Sequence, residues 1–345
     1  MRHFCMKPIH DIFPLITQPA RVVITMHQKP DGDAMGSALG LCGFLKKLGH
    51  EVVVISPTNW ASWLNWMPGC DGVVNYEKHH DRSAELLNKA DYLFCLDFNV
   101  FHRTKNFAPL LANATCVKVL IDHHEQPDTA SFNYGISDIT KSSTCEMVFD
   151  FIEASGNDKL IDANIAKCLY AGVVTDTGSF RFSSTHASVH RMVARLMETD
   201  FDHSLVHSSL FDNFLENRLR FIGHVLSNRM EFLYEYNTAL IAISKQDLLK
   251  YEIKTGDTEG LVNYPLSVKG IELVGFVIDR DEERKWSFRS KRHFDCNTFA
   301  RKYFNGGGHY NASGGNSKDG LAQTVEYFKQ AIKENEQLLT NVKNS

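Results

Sequence analysis

Short β-branched apolar runs alternate with helical spacing through the first half of the chain. Residues 21–26 (RVVITM) form a run of the kind that fills a buried strand, and they lead into a turn rich in Gly and Asp. Beyond it, Ala34, Ala38, Leu41, Leu45 and Leu48 recur every three or four residues, as an amphipathic helix requires, with Gly49 as its stop. Residues 51–55 (EVVVI), 92–98 (YLFCLDF) and 116–121 (CVKVLI) read as further buried strands, and 101–114 can supply a crossover helix. Ser143-Thr-Cys-Glu146 has the spacing of a capping box and opens an apolar helix to about Ala154. This alternation predicts an α/β fold, a doubly wound and mainly parallel sheet with helices on both faces.

Helical patterns dominate from about residue 163 to 226, including 186–198 and 205–225. After that, 230–236 and 238–244 flank Asn237 like a hairpin, 271–279 and 285–291 form another strand pair, and helices are expected at 298–304 and 321–339. The expected organisation is a large domain over 1–200, a helical linker over 201–228 and a smaller α/β domain over 229–345.

A length of 345 residues, 43% hydrophobic, is enough for two domains of ordinary size. With 37 Lys+Arg against 41 Asp+Glu, nothing points to the broad basic face that long duplexes require, whereas a small phosphorylated ligand needs only a few local cations. The eight cysteines (Cys5, Cys42, Cys70, Cys95, Cys116, Cys145, Cys168, Cys296) are scattered without a CxxC pair and read as reduced, buried thiols. No stretch has the apolar length of a signal peptide or a membrane span, so a cytoplasmic protein without membrane contact is expected. Trp60, Trp63 and Trp66 read as packing residues, and His79-His80-Asp81 as a solvated loop.

Four segments place acidic or imidazole side chains at or beside predicted element ends: His27-Gln-Lys-Pro-Asp31-Gly-Asp33, then Asp97, then Asp122-His123-His124, then Asp176 in VVTDTG. In open α/β sheets, ligands gather at the carboxyl ends of parallel strands. Several carboxylates converging there repel one another unless cations neutralise them. Hard divalent ions suit such a set, and two imidazoles shift the preference toward Mn²⁺ over Mg²⁺. A carboxylate shared by two ions keeps them close enough to act together on one phosphoryl group, and Asp97 is the candidate for that role.

These four segments resemble the motifs of the DHH phosphoesterase superfamily. The C-terminal part resembles its DHHA1 companion domain through Ser287-Phe-Arg289-Ser-Lys291 and Gly306-Gly-Gly-His309-Tyr-Asn-Ala312-Ser-Gly314, and 257–270 resembles the segment between them. Size and domain pairing are most similar to the nano-RNase (oligoribonuclease)/pAp-phosphatase branch. The resemblance implies one cation on His27, Asp31 and Asp97 and a second on Asp33, Asp97, His123 and Asp176. His124 would face the reacting phosphate, Asp122 would support the imidazoles, and Arg289 with Gly306, Gly307, Gly308 and His309 would hold a terminal phosphate or nucleotide. Ala312-Ser313 departs from the two alanines usual in the family. The basic residues Arg284, Lys285, Lys291, Arg292, Arg301 and Lys302 fit either phosphate attraction or an ordinary charged face.

The expected activity is hydrolysis of RNAs of two to five nucleotides by a hydroxide activated by two cations, with pAp as a second substrate. Small nucleotides and short single strands are the expected partners, no long duplex is expected, and there is room for a homodimer. A phosphodiesterase for linear or cyclic di-adenylates and an exopolyphosphatase are the rival enzymes. The rival of another class, a non-catalytic nucleotide-binding regulator, predicts a broken ligand set.

Overall fold

The computed structural model describes residues 6–280, 283–291 and 293–341, and the chain divides into two compact units, 1–213 and 214–345.

The first unit is built on a seven-stranded sheet: β1 (Lys7–Pro8), β2 (Arg21–Thr25), β3 (Glu51–Ser56), β4 (Val74–Asn75), β5 (Tyr92–Leu96), β6 (Val117–Asp122) and β7 (Tyr134–Ser137). Every pairing is parallel, in the order β1-β7-β6-β5-β2-β3-β4. The helices are α1 (Gly32–Lys47), α2 (His80–Asn88), α3 (Ala108–Asn113), α4 (Thr144–Ala154), α5 (Ala163–Asp176), α6 (Ala187–Met197) and α7 (His203–Phe211). One core packs α1, α4, α5 and α6 against one face of the sheet, and a second packs Leu87 of α2 and Leu111 of α3 against the other. The chain runs outward from β2 to β3 and β4, then returns to the far side of β2 to lay down β5. The direction of winding therefore reverses between β2 and β5. Connections leave these neighbours toward opposite faces, which opens a crevice at their carboxyl ends.

Several expectations change in detail. α1 is buried on nearly all sides through Leu45, because α5 covers the side that an amphipathic helix would expose. The crossover at 101–114 is a 3-10 segment (Phe101–Phe107) followed by the short α3. His80 and Asp81 begin α2 and do not form a loop. They read as polar because only Ser83 and Leu87 of that helix are buried. Trp60, Trp63 and Trp66 pack against the core, and among the described cysteines all but the half-buried Cys116 are buried free thiols. Cys5 and Arg292 lie outside the described residues. Among the described residues, no helix is long and apolar enough to cross a membrane.

The second unit contains α8 (Glu216–Asn228), β8 (Met230–Leu233), β9 (Thr238–Ile243), α9 (Lys245–Lys250), β10 (Leu273–Asp279), β11 (Arg284–Ser290), α10 (Cys296–Tyr303), β12 (Gly307–His309), β13 (Ala312–Ser317), α11 (Leu321–Glu334) and α12 (Glu336–Thr340). Its sheet runs β12-β13-β11-β10-β9-β8, with only β9 and β10 parallel. Asn237 turns the β8–β9 hairpin in the left-handed region at φ 47°, a conformation Asn tolerates better than most residues. The stretch expected to be a linker, 201–228, is divided: Val206 and Leu210 of α7 join the core of the first unit, while Phe221, Ile222 and Val225 of α8 join a core of the second.

Candidate functional site

The β2/β5 crevice receives the acidic and imidazole residues because each follows a strand end or lies at the end of a helix. His27 lies just beyond β2, Asp97 just beyond β5, and His123 and His124 directly after Asp122, the last residue of β6. Asp31 is the N-cap of α1, with its carboxylate accepting from the N–H groups of Asp33 and Ala34, each at 3.1 Å. Asp33 lies in the first turn of α1, and Asp176 ends α5.

Asp97 stands at the centre. Its Oδ2 lies 3.3 Å from His27 Nε2 and its Oδ1 3.4 Å from His123 Nε2. Asp31 Oδ2 is 3.7 Å from His27 Nε2; Asp33 Oδ2 and Asp176 Oδ2 are 3.8 and 3.5 Å from His123 Nε2. Asp97 is shared by the donor sets His27/Asp31/Asp97 and Asp33/Asp97/His123, each with its ligand atoms within 4.8 Å of one another. Asp97 is held at φ 62°, in the left-handed region that costs a non-glycine residue of order 1 kcal/mol and is concentrated at functional sites. Its N–H is anchored to the Ile121 carbonyl at 3.2 Å.

Hydrogen bonds fix which nitrogen each imidazole presents. His27 Nδ1 donates to the Gln28 carbonyl at 2.8 Å, and His123 Nδ1 to the Lys141 carbonyl at 3.3 Å. A carbonyl only accepts, so Nδ1 keeps a proton in both rings, and Nε2 is the nitrogen turned toward the carboxylates, the one a metal takes once its proton is lost. His124 differs: its Nδ1 donates to Asp122 Oδ1 at 2.8 Å.

The electrostatics fit cations. Burial, then the charge of Asp97, pushes the Asp33 carboxyl up to about 7. Burial, then Asp33, raises Asp176 well above the carboxylate range. Burial would lower His27, yet its bonds to Asp31 and Asp97 outweigh that and raise it to about 10. More negative charge converges here than the imidazoles neutralise, and an oxygen-rich set with two Nε2 donors, buried at Asp33 and Asp97 and open to solvent at Asp31, suits divalent ions.

The residues that hold this cluster are less visible in the sequence. Ser143 caps α4 by accepting from Glu146 N at 3.0 Å. The other half of the expected capping box is absent, because the buried Glu146 carboxylate accepts instead from Ser142 N and Oγ, both at 2.8 Å, and from Ser188 Oγ at 2.7 Å. Glu146 thereby fixes the loop whose Lys141 carbonyl holds His123. Thr144 touches both Asp33 and Asp97.

In the second unit, strand register brings Arg289, Ala312 and His309 opposite one another on β11, β13 and β12, and Ser287, Gly314 and Gly307 form the neighbouring row. Directly opposed residues share a face, and alternation places both rows on the side away from the buried Phe288. Over β9 and β10 that side is covered by α8 and the apolar residues Leu261, Val262, Leu266 and Val268, whereas these two rows carry only polar or small side chains. The three glycines have separate reasons. A Cβ on Gly306 would coincide with the Gly314 carbonyl oxygen, and one on Gly308 (φ 148°) would meet Ala312 O and Ser313 Cα at 2.7 and 2.8 Å. Both are imposed by strand packing. A Cβ on Gly307 would meet only Asn297 Oδ1 and the Arg301 guanidinium, at 3.4–3.6 Å. The buried Asn297 accepts from Arg301 Nε at 3.0 Å and from Gly308 N at 3.2 Å, so it fixes Arg301 beside Gly307. Among the other basic residues, Arg284 is paired with Asp279 at 2.9 Å.

The comparisons agree with this division. The model of the DHH family N-terminal domain matches residues 21–173, and that of the DHHA1 domain matches 237–340. The chain is 28% identical to the bifunctional oligoribonuclease and PAP phosphatase NrnA of Bacillus subtilis, over 85% of this chain and 88% of that protein. It is 29% identical to the protein of the same name in Thermus thermophilus, over 95% and 94%. An exopolyphosphatase-related protein from Bacteroides fragilis superposes with a TM-score of 0.91 at 36% identity, covering 96% of this chain and 97% of that one. With one family model on each unit and near full-length relatives, the chain belongs to the DHH/DHHA1 phosphoesterase family.

Proposed function

We propose that this protein is a metal-dependent phosphoesterase that hydrolyses RNAs of two to five nucleotides to mononucleotides and removes a phosphate from pAp. In this reading the first unit carries the chemistry and the second binds the nucleotide. The observation that carries it is the Asp97 carboxylate, one oxygen 3.3 Å from His27 Nε2 and the other 3.4 Å from His123 Nε2. A single carboxylate between two imidazole-containing sets is what a pair of adjacent cations needs.

His27, Asp31 and Asp97 would hold one cation, and Asp33, Asp97, His123 and Asp176 the other. The two imidazoles favour Mn²⁺ over Mg²⁺. When bound, the cations would neutralise the carboxylates, clamp a phosphoryl group and make water acidic enough to yield hydroxide near neutral pH. His124, its Nδ1 bound to Asp122, would turn Nε2 to the phosphate or the departing oxygen. On the second unit, Arg289, with a fork that matches phosphate geometry, and His309 would bind the nucleotide over the small side chains of Ala312, Gly314 and Gly307. The relatives named as oligoribonuclease and PAP phosphatase support this substrate class. The intact ligand set weighs against a non-catalytic regulator.

The test is turnover of 5′-labelled RNA dimers to pentamers, a 20-mer and pAp, with Mn²⁺, with Mg²⁺ and with chelator. Rapid, metal-dependent loss of the shortest RNAs with a slow 20-mer is expected. Intact RNA and pAp, with linear or cyclic di-adenylate or polyphosphate hydrolysed instead, would overturn the substrate assignment.

A further inference from the structure

Two carboxylates of the cluster are held by one turn of helix. Thr144 and Cys145 are the first residues of α4, where N–H groups have no partner within the helix. They donate to both oxygens of Asp33, Thr144 N to Oδ2 at 2.7 Å and Cys145 N to Oδ1 at 2.9 Å. The Thr144 hydroxyl donates to Asp97 Oδ1 at 3.0 Å. Thr144 is fully buried, and Asp33 and Asp97 nearly so, so water does not compete for these bonds.

Close helix packing sets the approach. Cys145 Sγ fills the place a Gly172 side chain would take and lies 3.1 Å from where a Cβ on Gly36 would be. The start of α4 is thereby wedged between α1 and α5, against the residue it must hold. The helix itself does not require the Thr144 hydroxyl, because Ser143 already serves as its cap.

We propose that Thr144 is a positioning residue for the metal centre: its N–H and hydroxyl fix the orientations of Asp33 and Asp97 before cations bind. A carboxylate oxygen has two lone pairs, so a hydrogen bond to Thr144 leaves one free for a cation. Fixing the carboxylate shared by both sets affects both cations at once. The inference rests on the ligand assignment proposed above.

The experiment titrates Mn²⁺ into the metal-free full chain by calorimetry, with thermal unfolding of the same samples. Thr144→Val keeps the shape and the N–H but removes the hydroxyl; the expected loss in Mn²⁺ affinity is about 10-fold or more, the range for partners that orient ligands. Thr144→Ser is expected to retain wild-type affinity. Ser143→Ala is expected to lower the unfolding temperature while leaving Mn²⁺ affinity unchanged, the reverse of Thr144→Val. Wild-type affinity in Thr144→Val, or equal weakening in the Ser variant, overturns the proposal. If the Val variant does not fold without metal, Thr144→Ala is read by the same criteria. A wild-type chain that binds no Mn²⁺ would instead sink the metal-centre assignment itself.

Discussion

Asp122 holds His124 at two points: Oδ1 accepts from the imidazole Nδ1 at 2.8 Å, and Oδ2 accepts from the main-chain N–H at 3.1 Å. Asp122 is fully buried at the end of β6, so the pair is rigid. It fixes the ring plane and keeps the proton on Nδ1.

Asp122→Asn separates these effects. An amide can donate where the carboxylate accepts, which favours the opposite tautomer with little change in shape. The expected result is a loss in kcat of about 100-fold or more, the scale of a misplaced acid–base group, with KM for RNA dimers and Mn²⁺ affinity close to wild type. A fall in Mn²⁺ affinity of the same size as the fall in kcat would show that Asp122 serves the metal set instead of His124.

Asp97 can be tested through charge alone. Its left-handed backbone is tolerated by Asn as well as by Asp, so Asp97→Asn should retain the fold. Hydrolysis is expected to fall by more than the ~100-fold typical when an outer-shell partner is lost. The bound Mn²⁺ per chain, counted by elemental analysis after gel filtration, should fall in step. Full activity in this variant would remove the mechanism.

The first unit was legible because its strands are continuous apolar runs and most of its clustered acidic and imidazole residues stand soon after them. His27, Asp97 and Asp122-His123-His124 declare their place by following RVVITM, YLFCL and VKVLI. Thr144 and Glu146 were harder to read: a capping-box spacing explained both, and only the folded chain brings α4 against Asp33 and directs Glu146 to Ser142 and Ser188. β1, β4 and β7 are two to four residues long, too short to show periodicity. β12 and β13 were hidden because GGH and ASGGNS carry little strand propensity. In the sequence, Gly306, Gly307 and Gly308 stand alike as residues that would hold a nucleotide, whereas two of the three are required by the neighbouring strand.

That distinction predicts unlike outcomes for neighbouring substitutions. Gly306→Ala would place a methyl group on the Gly314 carbonyl, which belongs to backbone and cannot swing away. A loss of about 1–3 kcal/mol in stability is expected from such overpacking, read by denaturant unfolding. Gly307→Ala meets only ordinary contacts with Asn297 and Arg301, so stability should hold. Its methyl group would crowd the Arg301 guanidinium instead, and KM for RNA dimers should rise. Equal stability losses in both variants would refute the assignment of separate roles.

The second unit also carries its own pH dependence. Asp247 accepts from Arg229 Nε and Nη2 at 2.8 and 3.0 Å, from His224 Nε2 at 2.9 Å, and from Ser244 N and Oγ at 3.1 and 2.6 Å. Burial opposes ionisation, but the bonds to Arg229, Ser244 and His224 outweigh it and hold the carboxyl below its ordinary value. A carboxyl with a lowered folded-state pKa contributes its full stability above the unfolded value of about 3.9, and loses it as pH falls through the folded one. Stability should therefore decline below about pH 4 more steeply in wild type than in Asp247→Asn. At neutral pH the variant should be less stable by on the order of 2 kcal/mol, for the loss of hydrogen bonds to a charged acceptor. Denaturant midpoints at pH 7, pH 3 and pH 2 measure both: the gap between the two proteins should be widest at pH 7 and shrink step by step below about pH 4, toward the lowered folded value. A gap that stays constant with pH would mean that Asp247 acts through shape and not through charge.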